Sequence, residues 1–271
     1  MSTTVGVAYD KARAEGRAAL VGYLPAGFPS VDGSIAALHA MVDAGCDIIE
    51  IGLPYSDPVM DGPTIQAAAQ QALDAGIRTT DVLRVVEAVA STGVPTLVMT
   101  YWNPIERFGV DRFAQGLYDA GGAGLITPDL TPDFAPEWIA AADARDLDKV
   151  FLVAPSSTDE RIALTTAACR GFVYATAVMG VTGARETSSD LAGPLVARTR
   201  SAIEASAPGL PIGVGLGVSN GAQAAEVASY ADGVIVGSAF VRALLDHPGD
   251  LDGARKALVA LTEDLARGVR S

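Results

Sequence analysis

Residues 48–65 read Ile-Ile-Glu-Ile-Gly-Leu-Pro-Tyr-Ser-Asp-Pro-Val-Met-Asp-Gly-Pro-Thr-Ile, a strand, a loop and a helix start in one stretch. Ile48 to Leu53 is a continuous apolar run broken by one acid, Glu50. A continuous run, unlike an alternating one, marks a strand covered on both faces and therefore parallel pairing. The proline-rich loop that follows carries Asp57 and Asp61, and Pro63 opens a helix where a missing N–H costs little. Side chains alternate along a strand, so Glu50 lies on the face opposite Ile49 and Ile51. If those isoleucines meet outer helices, Glu50 points inward. A carboxylate there is costly to leave charged and is accommodated by a raised pKa or a fixed partner. Glu50 thus reads either as an acid–base catalyst or as a structural acid paired with an arginine or capping amides.

The same unit recurs outward along the chain. A short helix over residues 4–15 leads, and apolar runs follow at 18–25, 47–53, 94–101, 122–127, 149–154, 171–176, 211–214 and 233–236. Between them lie alanine-rich helical stretches, with Ser30 or Asp32, Ser157 or Thr158, and Ser219 as expected N-caps. Eight βα units in about 250 residues fit a (β/α)8 TIM barrel, here with a short extra N-terminal helix. A doubly wound open sheet is the alternative, but no GxGxxG follows the first strand. No linker or composition shift divides the chain, so residues 1–271 read as one barrel domain.

Composition excludes several classes of function. The formal net charge of −13 argues against nucleic acid or an anionic membrane surface as a partner. Any phosphate must therefore be held by backbone amides and helix dipoles more than by cations. No apolar run is long enough to span a bilayer and no signal-peptide pattern opens the chain, so the mean hydropathy of +0.30 reads as a large core and the expected location is cytoplasmic.

A barrel of this kind carries its chemistry at the C-terminal ends of the strands. Tyr23, Met99, Leu125 and Tyr174 end strands one, three, four and six there and are candidates for an apolar pocket wall. Gly215-Leu216-Gly217-Val218-Ser219 and Gly237-Ser238 follow strands seven and eight. Both precede helices, so both are candidate phosphate loops, although turn and cap duties would also explain them. Asp61 is a second candidate acid or a cap for the helix at Pro63, and Asp57 before Pro58 ranks below it.

What is missing narrows the reaction. Lys11, Lys149 and Lys256 fall away from strand C-terminal ends, so a Schiff-base nucleophile is not expected. His39 and His247 sit in helical stretches, and Cys46 and Cys169 precede strands as packed thiols, so neither a triad nor a metal site is expected. What remains is carboxylate acid–base chemistry on a phosphorylated substrate.

Glu50-Ile-Gly-Leu-Pro-Tyr-Ser-Asp-Pro-Val-Met-Asp-Gly-Pro-Thr-Ile-Gln66 closely resembles the signature of the tryptophan synthase α chain family. The resemblance continues through residues 99–104, Tyr174, Gly180–Gly183, Gly215–Ser219 and Gly237-Ser238, in order along nearly all eight units. It implies a lyase that splits indole-3-glycerol phosphate into indole and glyceraldehyde 3-phosphate by a metal-free retro-aldol reaction in tryptophan biosynthesis. It further implies Glu50 and Asp61 as the catalytic pair, with Asp61 facing the indole N–H. Tyr23, Met99 and Leu125 would line the indole pocket, and Tyr174 would lie near substrate and Glu50. Gly183, Leu216, Gly217, Gly237 and Ser238 would surround the phosphate, and Thr182 would belong to a closing loop.

By the same resemblance this chain holds no cofactor. Its partner would be a β chain carrying pyridoxal phosphate in an allosteric α2β2 complex, met through Asp57, Asn103 and Pro104. Leu216, Ala177 and Tyr23 depart from the family's common phenylalanine, serine and phenylalanine. A stand-alone lyase and a non-catalytic activator of the β chain are the competing readings.

Overall fold

Eight parallel strands close on themselves in chain order, β1-β2-β3-β4-β5-β6-β7-β8, in the computed structural model, which describes residues 5–176 and 189–271. They are β1 Ala19–Pro25, β2 Ile48–Gly52, β3 Thr96–Met99, β4 Gly124–Thr127, β5 Asp148–Val153, β6 Val173–Thr176, β7 Ile212–Gly215 and β8 Gly233–Val236. The helices of the first half are α1 Val5–Ala14, α2 Val31–Asp43, α3 Pro63–Asp74, α4 Thr79–Ala90, α5 Trp102–Phe108 and α6 Val110–Asp119. Those of the second half are α7 Pro136–Asp143, α8 Asp159–Ala168, α9 Ser189–Ser206, α10 Gly221–Ala228, α11 Ser238–Leu245 and α12 Leu251–Gly268. This is the expected TIM barrel with its leading helix. Among the described residues no helix is long and apolar enough to cross a membrane.

Strand alternation sorts the apolar residues into two clusters. Val21, Ile48, Leu97, Ile126, Val150 and Ile235 fill the barrel, whereas Ile49, Ile51, Val98 and Leu125 pack outward against the helices. The outward isoleucines of β2 leave Glu50 facing inward, as their spacing predicts. Leu125 corrects the reading above. It is fully buried among helix-facing residues, and its neighbour Ile126 takes the inward position. A shift of one residue exchanges the two faces of a strand, and Leu125 and Ile126 are both apolar, so hydropathy does not tell them apart.

Local chemistry sets most element ends. Ser30 accepts a hydrogen bond from the Gly33 N–H (3.0 Å) and Thr158 from the Arg161 N–H (3.3 Å), each acting as an N-cap. At α10 the cap is Asn220, which accepts from the Gln223 N–H at 3.0 Å. Ser219, the expected cap, instead donates its backbone N–H to the Gln223 side chain. Helix α5 was not expected after β3; Asp129, from the loop after β4, accepts its first N–H (Trp102) at 2.9 Å. That cap comes from a distant stretch of chain. His247 lies just past the end of α11.

Candidate active site

At the C-terminal mouth of the barrel one cavity gathers Tyr23, Glu50, Asp61, Met99, Tyr174, Leu216, Gly217, Gly237 and Ser238, nine of the residues named from sequence. Leu125 is not among its lining residues, and Thr182 and Gly183 lie outside the described residues. Asp57 lies in a neighbouring groove.

Glu50 is the central residue of β2 and only 1% exposed. Neither carboxyl oxygen has a hydrogen-bond partner among the described residues, so the structural-acid reading loses the arginine or amide it requires. Burial alone pushes its pKa up to about 8, leaving it protonated at neutral pH. Tyr23 faces it across the β1–β2 pair, where the two residues are in register. Gly52 makes this possible, because a Cβ at that position would collide with the Tyr23 phenol. Gly215 leaves room for the Tyr174 phenol in the same way. Two large rings thus fit within the barrel because the neighbouring positions, Gly52 and Gly215, carry no side chain. Burial and the Glu50 charge both hold the Tyr174 phenol well above its usual pKa, so it stays a neutral donor.

Asp61 reaches the cavity from the β2–α3 loop. Its backbone carbonyl accepts from the Gln66 side chain at 2.8 Å, and Tyr101 donates its phenolic hydrogen to Asp61 Oδ1 at 3.2 Å. The same phenol accepts the Met60 N–H at 2.9 Å, so Tyr101 fastens the loop at two points. Partial burial raises the Asp61 pKa, and the Tyr101 hydrogen bond opposes the rise. Tyr101 escaped the sequence reading although it lies in the Met99-Thr-Tyr-Trp-Asn103 strand end. Its position after β3 was a usable signal; its link to Asp61 was not, because the two are far apart in sequence.

The opposite wall is glycine. Gly215, Gly217 and Gly237 lie beside Ser238, the first residue of α11. Gly217 has φ 85°, a left-handed conformation that glycine adopts without strain. A helix N-terminus and close-lying backbone form an anion-binding corner. The cavity therefore has a glycine-lined end suited to an anion, an apolar middle with Met99 and Tyr23, and two acids of unlike environment. Among the described residues no group of three or more His, Cys, Asp or Glu side chains is arranged to hold a metal ion.

The chain is similar to known proteins along nearly its whole length. The family model described as tryptophan synthase alpha chain matches residues 9–270. The tryptophan synthase alpha chain of Salinispora arenicola is 62% identical over 267 residues, covering 98% of each chain. That of Acidothermus cellulolyticus is 61% identical over 268 residues, covering 99% of this chain and 97% of the relative. Among solved structures, tryptophan synthase of Mycobacterium tuberculosis superposes with a TM-score of 0.89 at 54% identity, covering 100% of both chains. Tryptophan synthase subunit alpha of Legionella pneumophila retains a TM-score of 0.85 at 30% identity, covering 98% of both. The chain belongs to the tryptophan synthase alpha chain family, whose reaction in tryptophan biosynthesis is the cleavage of indole-3-glycerol phosphate.

Proposed function

We propose that in this chain the cleavage is carried by Glu50 as the proton carrier and Asp61 as the partner of the indole nitrogen. The observation that supports this most is Glu50 itself, a buried carboxyl group facing the cavity, without a hydrogen-bond partner among the described residues and protonated near neutral pH. Protonated Glu50 delivers its proton to indole C3, and positive charge develops over the ring and its nitrogen. Asp61 accepts the N–H hydrogen bond and stabilises that charge more in the transition state than in the ground state. The Glu50 carboxylate, or a base in its place, takes the proton of the adjacent glycerol hydroxyl as the carbon–carbon bond breaks. The bonding electrons return to the ring, giving indole, and the hydroxyl carbon becomes the aldehyde of glyceraldehyde 3-phosphate.

In this reading Gly217, Gly237, Ser238 and Leu216 hold the phosphate, joined by Gly183. Tyr23, Met99 and Tyr174 wall the indole and Glu50, while Thr182 belongs to the loop that closes over them. Asp61→Asn should lower kcat about a hundredfold while leaving KM within a few-fold, since it removes charge stabilisation but keeps the shape. Steady-state indole release measures this, and an unchanged kcat would remove Asp61 from the chemistry.

The partner in this reading is a β chain that carries pyridoxal phosphate, in an α2β2 assembly within the cytoplasm, and this chain itself holds no cofactor or metal. The supporting surface is the groove beside the cavity, where Asp57, Asn103 and Pro104 lie with Tyr55. Asn103 donates to the Tyr55 hydroxyl at 3.0 Å, and Val59 in the catalytic loop is 73% exposed, an apolar side chain suited to burial by a partner. The deciding experiment incubates the purified chain with indole-3-glycerol phosphate, with and without a β chain. Indole release should rise markedly when the β chain is added. Equal rates would favour a stand-alone lyase, and no release in either case would favour a non-catalytic activator.

A further inference from the structure

Helix α1 closes the opposite end of the barrel, and the reaction chemistry makes no use of it. Its buried stripe is Val5, Tyr9 and Ala12, one helical face turned to the barrel interior. The Val5 N–H at its start donates to Asp148 Oδ2 of β5 at 2.8 Å, a carboxylate capping a helix N-terminus from across the fold. Just beyond its C-terminus Arg17 forms a two-point pair with Asp47, at 2.7 and 2.8 Å, and Asp47 also accepts the Leu20 N–H. The helix is therefore fastened near both ends, with Tyr9 between.

Tyr9 is 1% exposed and occupies space that the barrel wall leaves empty. Gly213 of β7 and Gly233 of β8 are paired neighbours; a Cβ on Gly213 would lie 2.8 Å from the Tyr9 hydroxyl, and one on Gly233 would lie 2.7 Å from both its ring and its hydroxyl. Its hydroxyl has no hydrogen-bond partner among the described residues, so the side chain is held there by packing and not by a polar contact. The ring packs on Phe172 with centroids 5.5 Å apart, and Phe172 lies 6.3 Å from the ring of Tyr174. Tyr174 then lines the catalytic cavity beside Glu50. One aromatic column runs from the floor of the barrel to the reaction site.

We infer that Tyr9 is a positioning residue for the cleavage: its ring seals the barrel floor and, through Phe172, holds Tyr174 and the dry chamber around Glu50. This rests on the assignment of Glu50 as the proton carrier. The titratable groups around that chamber are Tyr23 from β1, Tyr174 from β6, Tyr9 from α1, and Asp61 with Tyr101 at the mouth. Without the ring, water enters from below, Glu50 ionises at lower pH, and Tyr174 loses its support.

The test compares the full-length chain with Tyr9→Leu and Tyr9→Phe, assaying indole release from indole-3-glycerol phosphate across pH, with thermal unfolding of each protein. Tyr9→Leu fills much of the volume and keeps the fold testable. It should lower kcat by between about ten- and a hundredfold, with KM within about twofold, since small displacements at a reaction site cost that much. The fall of activity on the alkaline side should move to lower pH. Tyr9→Phe keeps the ring and should restore both kcat and the profile.

A folded Tyr9→Leu protein with the parental kcat and pH profile would overturn the inference, as would a Tyr9→Phe protein as impaired as Tyr9→Leu. Glu50→Gln is assayed in parallel. If it remains active, the Glu50 assignment fails whatever Tyr9 does; if it is inactive while Tyr9→Leu is unimpaired, only the Tyr9 inference fails.

Discussion

Glu50→Gln should remove indole release, a loss of about 10³-fold or more in kcat, while a glycerol-phosphate analogue binds as before. General acid–base catalysis by a positioned side chain contributes between about 10² and 10⁴, and Glu50 is asked both to give and to take a proton. Glutamine keeps the size of the protonated acid and carries no charge, so the chamber retains its shape while its proton carrier is gone. Steady-state kinetics and analogue titration separate the two effects, and kcat within tenfold of the parent would defeat the assignment.

A stability signature of opposite sign should accompany the loss. Folding raises the Glu50 pKa to about 8 from its ordinary carboxylate value of 4.5. Glu50 therefore opposes folding progressively as pH rises from the unfolded value toward the folded one, and the penalty is complete above about pH 8. It amounts to about 3 kcal/mol near pH 7 and roughly 5 kcal/mol above pH 8. Glutamine does not titrate, so Glu50→Gln should gain stability relative to the parent as pH increases. Denaturant titrations at pH 5 and pH 8.5 read this directly, and a difference independent of pH would contradict the protonated, buried state of Glu50.

Gly217→Asp should raise KM for indole-3-glycerol phosphate by about two orders of magnitude or more, with kcat at saturation far less affected. Like charges about 4 Å apart repel by roughly 4 kcal/mol near a protein surface, and the substrate phosphate is an anion. A further conformational cost of about 1 kcal/mol accompanies the left-handed φ of 85° at this position. Gly217→Ala carries that second cost without the charge and should fall well short of the aspartate variant. High ionic strength should recover part of the loss for aspartate alone, because screening acts on charge and not on shape. An unchanged KM in Gly217→Asp would move the phosphate elsewhere.

Both acids, the glycine loops and the barrel itself could be read from residue order. The continuous apolar strands repeated eight times, which parallel pairing alone accommodates, and Glu50 interrupted one of them at a position whose parity turned it inward. The pattern of period two failed at β4, where Leu125 and Ile126 are both apolar and their hydropathy does not distinguish inside from outside. It was silent on Tyr101, whose hold on the Asp61 loop joins residues 40 positions apart.

The sequence by itself determined the succession of strands and the family and nominated the two acids, because these depend on local pattern and on a long specific motif. Only the tertiary structure decided the environment of Glu50. Its lack of a partner among the described residues and its raised pKa come from burial by strands and helices spread along the chain. The tertiary structure likewise decided that Tyr9 fills the space left by Gly213 and Gly233, since a missing side chain has meaning only when its neighbour in space is known.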